Sequence, residues 1–308
     1  MQLYKNTTIE SLRHSSREMV RELGFLEYEK YYLGLSPSQA HALLQINEQG
    51  CLTSQDLASF LRLEKSTASR LVKALFAKKL VFIQDNPHDA RSKLISCSHE
   101  GLQMTKEINT KASNQVKEAL NYLTEEEQNM LAKSLASYSI ALKKSRLLQS
   151  YKIREIAFAD NLALNALIKS ILADFGAARA GFAFQDESLN NMYDNYNKSN
   201  SHYLVVEKDK KIYGGVGLAP LAGGEDNFCE LQKLYLSNEV RGLGLGKILT
   251  VKILDKAKSL GYQYCYLETL SSMEKANQLY IKLGFKKLAK PMGDTGHFGC
   301  DNWYLKEL

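Results

Sequence analysis

Hydrophobic residues recur at helical spacing through the first half of the chain and in short strand-like runs through the second. Ser36-Pro-Ser-Gln39 has the composition of a helix start: serine caps, proline suits the first turn and Gln39 closes a capping box. Thr53-Ser-Gln-Asp56 opens a second helix that buries Leu57, Ala58 and Leu61. After a three-residue break, Arg62-Leu-Glu64, a third helix places Ala68, Leu71, Val72, Leu75 and Phe76 on one face, at i, i+3, i+4, i+7 and i+8. Leu80-Val-Phe-Ile83 and Lys93-Leu-Ile-Ser96 read as strands, joined into a hairpin by the turn from Gln84 to Ser92. Thr124-Glu-Glu-Glu127 starts a capped, acid-rich final helix of this half. Further on, Tyr203-Leu-Val-Val-Glu207, Phe228 to Leu236, Tyr264 to Leu267 and Trp303 to Leu305 read as strands. A helix running to about Leu260 follows the second of these, with Ile248, Leu249, Leu254, Ala257 and Leu260 facing its core.

This change of periodicity divides the chain. Four of the 19 glycines fall in residues 1–150 and the rest beyond, so an all-helical half is followed by a mixed α/β half. We expect domains at 1–148 and 151–308. The junction, Leu147-Leu-Gln-Ser-Tyr-Lys-Ile153, has neither glycine nor proline and predicts a stiff attachment. No stretch approaches the roughly 18 apolar residues of a membrane span, and Met1 to Glu10 lacks the apolar core of a secretory signal. The five cysteines (Cys51, Cys97, Cys229, Cys265, Cys300) are odd in number and contain no CxxC pair. They argue against a disulfide scaffold or structural zinc, and for a cytoplasmic protein with no metal.

Charge adds a first functional expectation. Residues 62–93 hold eight basic and three acidic side chains, which concentrates the positive excess of the first half in one window. The polar face of the third helix offers Lys65, Ser66, Thr67, Ser69, Arg70 and Lys73. Short hydroxyls beside long cations suit a helix lying in a major groove, where Arg70 could take a guanine edge with both nitrogens. Arg91, near the hairpin tip, suits a minor groove. The competing reading is a solvated amphipathic helix. Leu35-Ser-Pro-Ser-Gln-Ala40, Leu52-Thr-Ser-Gln-Asp-Leu-Ala58, Lys65-Ser-Thr-Ala-Ser-Arg70 and Asp89-Ala-Arg-Ser92 resemble the MarR winged helix-turn-helix regulators over about residues 5–147. The resemblance implies a homodimer reading a pseudo-palindromic site on double-stranded DNA. It would be held by helices within Ile9 to Leu33 and Gly101 to Leu148. The set Met130, Leu131, Leu135, Tyr138 and Leu142 would serve that dimer seam or an internal core.

The second half carries a phosphate loop. Strand Phe228 to Leu236 leads into Arg241-Gly-Leu-Gly-Leu-Gly246 and then a helix, so backbone N–H groups at a helix start face an anion. The dinucleotide and P-loop fingerprints both fail: no glycine falls at the last position of GxGxxG, and Ile248 follows Gly246-Lys247. Arg241-x-x-Gly244-x-Gly246 instead resembles motif A of the GNAT acyltransferases, and Ala276-x-x-Leu-Tyr-x-x-x-Gly-Phe285 resembles their motif B. The likeness spans roughly 151–308 and includes Gly214-Gly-Val-Gly-Leu-Ala-Pro-Leu221 and Gly296-His-Phe-Gly-Cys300. It implies a GNAT acyl-CoA N-acyltransferase fold with a mixed central sheet, using acetyl-CoA. Its pyrophosphate would lie on Arg241, Gly242, Leu243, Gly244, Leu245, Gly246 and Lys247, and its pantetheine arm along Leu234, Tyr235 and Leu236. Met273 stands where many family members have asparagine, and Asn277 is not assumed to replace it.

Acyl transfer to an amine needs a neutral amine and a proton for the departing thiolate. Tyr280 is the candidate acid and Glu230 the candidate base. Against them stand a tyrosine packed with Leu279 and Leu283, and a carboxylate paired with Lys233 or solvated. Glu268, Thr269 and His297 are weaker candidates for contact with a small-molecule amine. No cysteine is expected to act as nucleophile, so transfer would be direct; Cys229 and Cys265 read as core residues. The leading expectation is a bifunctional regulator and N-acetyltransferase. Its rivals are a regulator that senses acetyl-CoA or a metabolite without turnover, and an enzyme whose winged half only dimerises it.

Overall fold

The computed structural model describes residues 6–24 and 32–308. By compactness the chain forms two units, one ending at Ala132 and the other beginning at Lys133.

In the first unit, α1 (Asn6–Glu22) covers the start of the helix expected over Ile9 to Leu33. Residues 25–31 of that expectation lie outside the described residues, and Leu33 stands in a turn. α2 (Pro37–Gln49) begins with the expected capping box between Ser36 and Gln39. A short β1 (Leu52–Thr53) leads into α3 (Ser54–Leu61), capped by Thr53 and Asp56. Arg62 turns the chain in a left-handed conformation, and α4 (Lys65–Ala77) follows. β2 (Val81–Asp85) and β3 (Lys93–Cys97) pair antiparallel, and β1 adds to the far side of β3. α5 (His99–Leu120) is capped by Ser98, whose hydroxyl also donates to the Lys79 carbonyl. Leu35, Leu43, Ile46, Leu57, Val72, Leu75 and Ile95 fill the core.

Two expectations need correction here. Phe76 is half exposed rather than on the buried face of α4. Eight residues after Ala68 a helix has turned about 80° away from it, which carries Phe76 to the edge of the stripe. The second correction concerns α6 (Glu125–Leu148). It buries none of its side chains, and Met130, Leu131, Leu135, Tyr138 and Leu142 are all exposed. They do not form an internal core of the chain.

The second unit is built on one seven-stranded sheet in the order β4-β5-β6-β7-β8-β10-β9. Its strands are β4 (Lys152–Glu155), β5 (His202–Lys208), β6 (Lys211–Pro220), β7 (Phe228–Leu236), β8 (Tyr264–Thr269), β9 (Lys286–Leu288) and β10 (Asn302–Glu307). Every neighbouring pair is antiparallel except β7 and β8. Alternation along β5 shows both faces buried. Leu204 and Val206 pack with α9 (Leu245–Ser259), while Tyr203 and Val205 pack with α7 (Asn161–Asp174) and α8 (Met192–Tyr196). On α9, Leu249, Leu254 and Ala257 are buried as expected, together with Ile253, while Ile248 and Leu260 are only partly so. α10 (Glu274–Lys282) carries the Leu-Tyr pair and precedes Gly284-Phe285.

Two irregularities open this sheet. Gly215 pairs with Tyr235 and Gly217 with Gln232, so Lys233 and Leu234 together oppose Val216 in a bulge, with Lys233 at φ +51°. On the other edge, β7 and β8 pair only from Phe228↔Tyr264 to Glu230↔Tyr266. Beyond that point they part, although β7 runs on to Leu236 and β8 to Thr269. A parallel pair that separates midway leaves backbone amides facing a slot, and this slot positions the site.

Candidate active site

The cleft between the parted strands is lined by β7 from Glu230 to Tyr235, by Glu268 and Thr269 of β8, and by Tyr280 of α10. His297 and Cys300 from the C-terminal loop and Leu172 and Phe182 from the α7 side complete it. All the sequence candidates for acid, base and acceptor contact therefore line one cavity: Tyr280, Glu230, Glu268, Thr269 and His297. So do Leu234 and Tyr235. The loop from Arg241 to Lys247 lies at the end of β7, outside this lining.

Glu230 is buried, and burial pushes its carboxyl above the ordinary range, partly offset by a 2.6 Å hydrogen bond from the Gln232 amide. The alternative of a Glu230–Lys233 ion pair is overturned. Lys233 Nζ lies 2.5 Å from Asp186, in the segment between α7 and α8. The bulge turns the lysine onto the cleft side of the strand, where the loop carboxylate takes it. Asp186 also meets His297 Nε2 at 3.1 Å. Burial works to raise Asp186, but His297 and Lys233 together hold it below its usual value. The bond to Asp186 in turn raises His297 against the opposing pull of desolvation. His297 is thus a tethered member of an ion cluster, not a loose loop residue.

Tyr280 packs its ring against Phe285 and Tyr304, and burial raises its phenol well above the ordinary value. The hydroxyl stays protonated across the working pH range, as a proton donor must. Glu268 accepts a 2.5 Å hydrogen bond from Thr295. Asn277 is fully occupied: its amide donates to the carbonyls of Leu270 and Met273, and its oxygen accepts from Asn302 and Tyr304. It fixes the start of α10 and has no capacity left for a ligand. Cys229 and Cys265 are buried core residues. Sequence reasoning missed Lys233 and Gln232 as site residues, and Cys300, whose thiol burial pushes to about 12.

The phosphate loop fits its expected ligand class. Gly242 (φ +78°) and Gly244 (φ +97°) adopt backbone that L-residues avoid, and a Cβ on either would meet open space. Gly244 starts α9 without a side-chain cap, so the first-turn amides of Leu245, Gly246 and Lys247 are available to an anion. Arg241 Nε donates to the Leu236 carbonyl at 2.9 Å, and its guanidinium lies over the Phe175 ring.

In the first unit, Lys65, Ser66, Arg70 and Lys73 are exposed on α4, with Thr67 and Ser69 half-buried beside them. Arg70 Nη2 donates to Thr67 Oγ1 at 3.1 Å, which holds the guanidinium along the helix surface. Arg91 projects from the hairpin turn, almost wholly exposed, with its backbone N–H on Asp89.

A bulged, splitting mixed sheet with a glycine-rich helix start defines an acyl-CoA-dependent acyltransferase, preceded in the chain by a winged helix-turn-helix module. The model of the Acetyltransferase (GNAT) family matches residues 164–285, and the MarR family model matches residues 33–92. An uncharacterized N-acetyltransferase of Escherichia coli (strain K12), YjgM, is 37% identical over 161 residues. The match covers 52% of this chain and 96% of that protein. A GNAT-family acetyltransferase structure from Staphylococcus aureus Mu50 aligns over 51% of this chain and 98% of its own, with 21% identity and a TM-score of 0.44. The apo wild-type MarR structure from Escherichia coli covers 45% of this chain and 98% of its own, with 20% identity and a TM-score of 0.37. The chain belongs to the GNAT family of N-acetyltransferases and carries a MarR-family module ahead of the transferase. Among the described residues no helix is long and apolar enough to cross a membrane.

Proposed function

We propose that the protein is a cytoplasmic, homodimeric DNA-binding regulator, residues 1–148, joined to an acetyl-CoA-dependent transferase, residues 151–308. The acceptor is a small amine and transfer is direct. The observation that carries the enzymatic reading is the placement of Glu230 and Tyr280 on one cleft, a buried base beside a buried, protonated acid. Acetyl-CoA supplies an activated thioester there. Gly242, Gly244 and the amides of Leu245 to Lys247 hold its pyrophosphate, with Leu243 beside them, and the edge of β7 from Leu234 to Leu236 holds its pantetheine arm. Glu230 removes the ammonium proton, directly or through water. Tyr280 Oη holds the proton that the departing thiolate needs. Glu268, Thr269 and His297 orient the acceptor. The raised Glu230 carboxyl places the loss of transfer on acidification above the ordinary carboxylate range.

The test is thiol release from acetyl-CoA over a panel of small amines and amino acids. Tyr280→Phe is expected to lower kcat on the order of 100-fold with coenzyme affinity retained. Coenzyme binding without thiol release on any amine would favour the sensing role instead.

For the first unit we propose that α4 lies in the major groove with Lys65, Ser66, Thr67, Ser69, Arg70 and Lys73 toward the duplex, and Arg91 in the minor groove. DNA selected from a random pool supplies the probe. Arg70→Ala is expected to cost about 1–3 kcal/mol on that site and to relax preference at one base position. Lys73→Ala should instead weaken all sequences alike and flatten the salt dependence. A wild-type affinity that does not change with salt would remove the DNA-binding role.

A further inference from the structure

We infer that Tyr196 and Gln232 form a polar clamp holding the Glu230 carboxylate in its anionic, proton-accepting form, which makes both of them positioning residues for the transfer step. The proposal rests on the reading of Glu230 as base. Glu230 and Gln232 stand two apart on β7, and the Gln232 amide reaches back to Glu230 Oε2 at 2.6 Å. The other end of the same amide, Oε1, accepts from Tyr196 Oη at 2.7 Å.

The fold is cut to admit that phenol. Tyr196 comes from α8, and its buried ring lies over Gly217, the residue paired with Gln232. A Cβ at Gly217 would stand 2.7 Å from Tyr196 Cε1 and 2.9 Å from its hydroxyl. Gly215 makes the same room for Tyr203, at 2.4 Å from Cε1, and Tyr203 Oη donates to the Lys233 carbonyl at 3.2 Å. The two rings are 5.0 Å apart. Two glycines of Gly214-Gly-Val-Gly217 thus seat two tyrosines whose hydroxyls grip consecutive residues at the bulge. The clamp gives that motif a task at the base-bearing strand.

Orientation follows from proton counting. Among the described residues the Tyr196 hydroxyl has one partner, Gln232 Oε1. If the amide turned end over end, its NH2 would face Tyr196, and the phenol proton would point into a buried site with no acceptor. The phenol therefore selects the orientation in which Gln232 donates to Glu230, and a donor favours the carboxylate over the acid. Burial works the other way, and so does Glu268 on β8; Lys233 on β7 and His297 in the C-terminal loop oppose them. Tyr266 and Cys265 on β8 and Cys300 in the C-terminal loop also face Glu230 and are themselves raised by its charge. Tyr196 itself is kept protonated by burial.

The experiment is an infrared titration of the full chain, with the Glu230 carboxyl identified as the band missing from Glu230→Gln. In Tyr196→Phe the ring keeps its seat while the amide is freed, and the midpoint of Glu230 is expected to rise by about one pH unit. Gln232→Leu is expected to raise it at least as far, and adding Tyr196→Phe to Gln232→Leu should move it no further, because Tyr196 acts only through the amide. An unmoved midpoint in Tyr196→Phe, or an equal further rise in the Gln232→Leu background, overturns the clamp. Thermal unfolding and acetyl-CoA binding of each variant report that the fold is kept. The base assignment is read separately: Glu230→Gln with undiminished thiol release on the amine panel overturns that assignment and the clamp's role in transfer with it. A lost release in Glu230→Gln beside an unmoved Tyr196→Phe midpoint overturns the clamp alone.

Discussion

Gly244→Val is expected to lower affinity for acetyl-CoA on the order of 1,000-fold while leaving the sheet and its unfolding temperature nearly unchanged. At φ +97° a β-branched residue is strained, so the loop must rearrange to relieve it. Rearrangement swings the amides at the start of α9 away from the coenzyme pyrophosphate. Hydrogen bonds to a charged group are worth about 1.5–3 kcal/mol each, and losing two of them gives the stated factor. The valine side chain would itself project into the open space over the loop. Gly246→Ala is the control. That residue has ordinary backbone, and its added methyl would only touch Leu279 at 3.4 Å and Leu236 at 3.7 Å. Isothermal titration with acetyl-CoA distinguishes the two variants. Equal affinities in Gly244→Val and the wild type would remove the loop from the coenzyme site.

The same loop shows what a sequence reveals readily. A glycine forced into left-handed backbone leaves a local trace, and so does a helix cap such as Ser36 with Gln39 or Thr53 with Asp56. Strands β7 and β8 were legible because their apolar residues run between clear breakers, and Tyr280 was legible through its fixed spacing to Gly284 and Phe285. The ion cluster was not. Asp186 stands 47 residues from Lys233 and 111 from His297 along the chain. No periodicity links positions that only the packing of the α7–α8 segment on β7 brings together. The bulge explains a further miss, because an extra residue in a strand shifts which side chains share a face. Regular alternation would set Lys233 and Glu230 on opposite faces, and a carboxylate partner for Lys233 can be identified only once its actual direction is known. Gln232 was recoverable in principle: it lies two residues beyond a suspected base, on the same face.

The α6 stripe carries the second large effect. Leu131, Leu135, Tyr138 and Leu142 recur at i, i+4, i+7 and i+11, and all are exposed in the single chain. Together with Met130 they form an apolar stripe too regular to be scattered surface leucines. Burying such a leucine yields about 1.5–3 kcal/mol, and two-fold symmetry would count each one twice. Leu135→Asp combined with Leu142→Asp is therefore expected to convert a homodimer into a monomer at micromolar concentration, read by sedimentation. Because both sites are exposed on a helix with no fully buried side chain, the fold and acetyl-CoA affinity should persist. DNA binding should not. A dimer on a pseudo-palindrome gains its second half-site at high effective concentration, and losing that linkage lowers affinity by a factor on the order of 1,000. A double variant that still sediments as the wild type would show that the stripe is not the seam. A variant that becomes monomeric yet binds the selected DNA undiminished would show that one copy of α4 and its wing suffices.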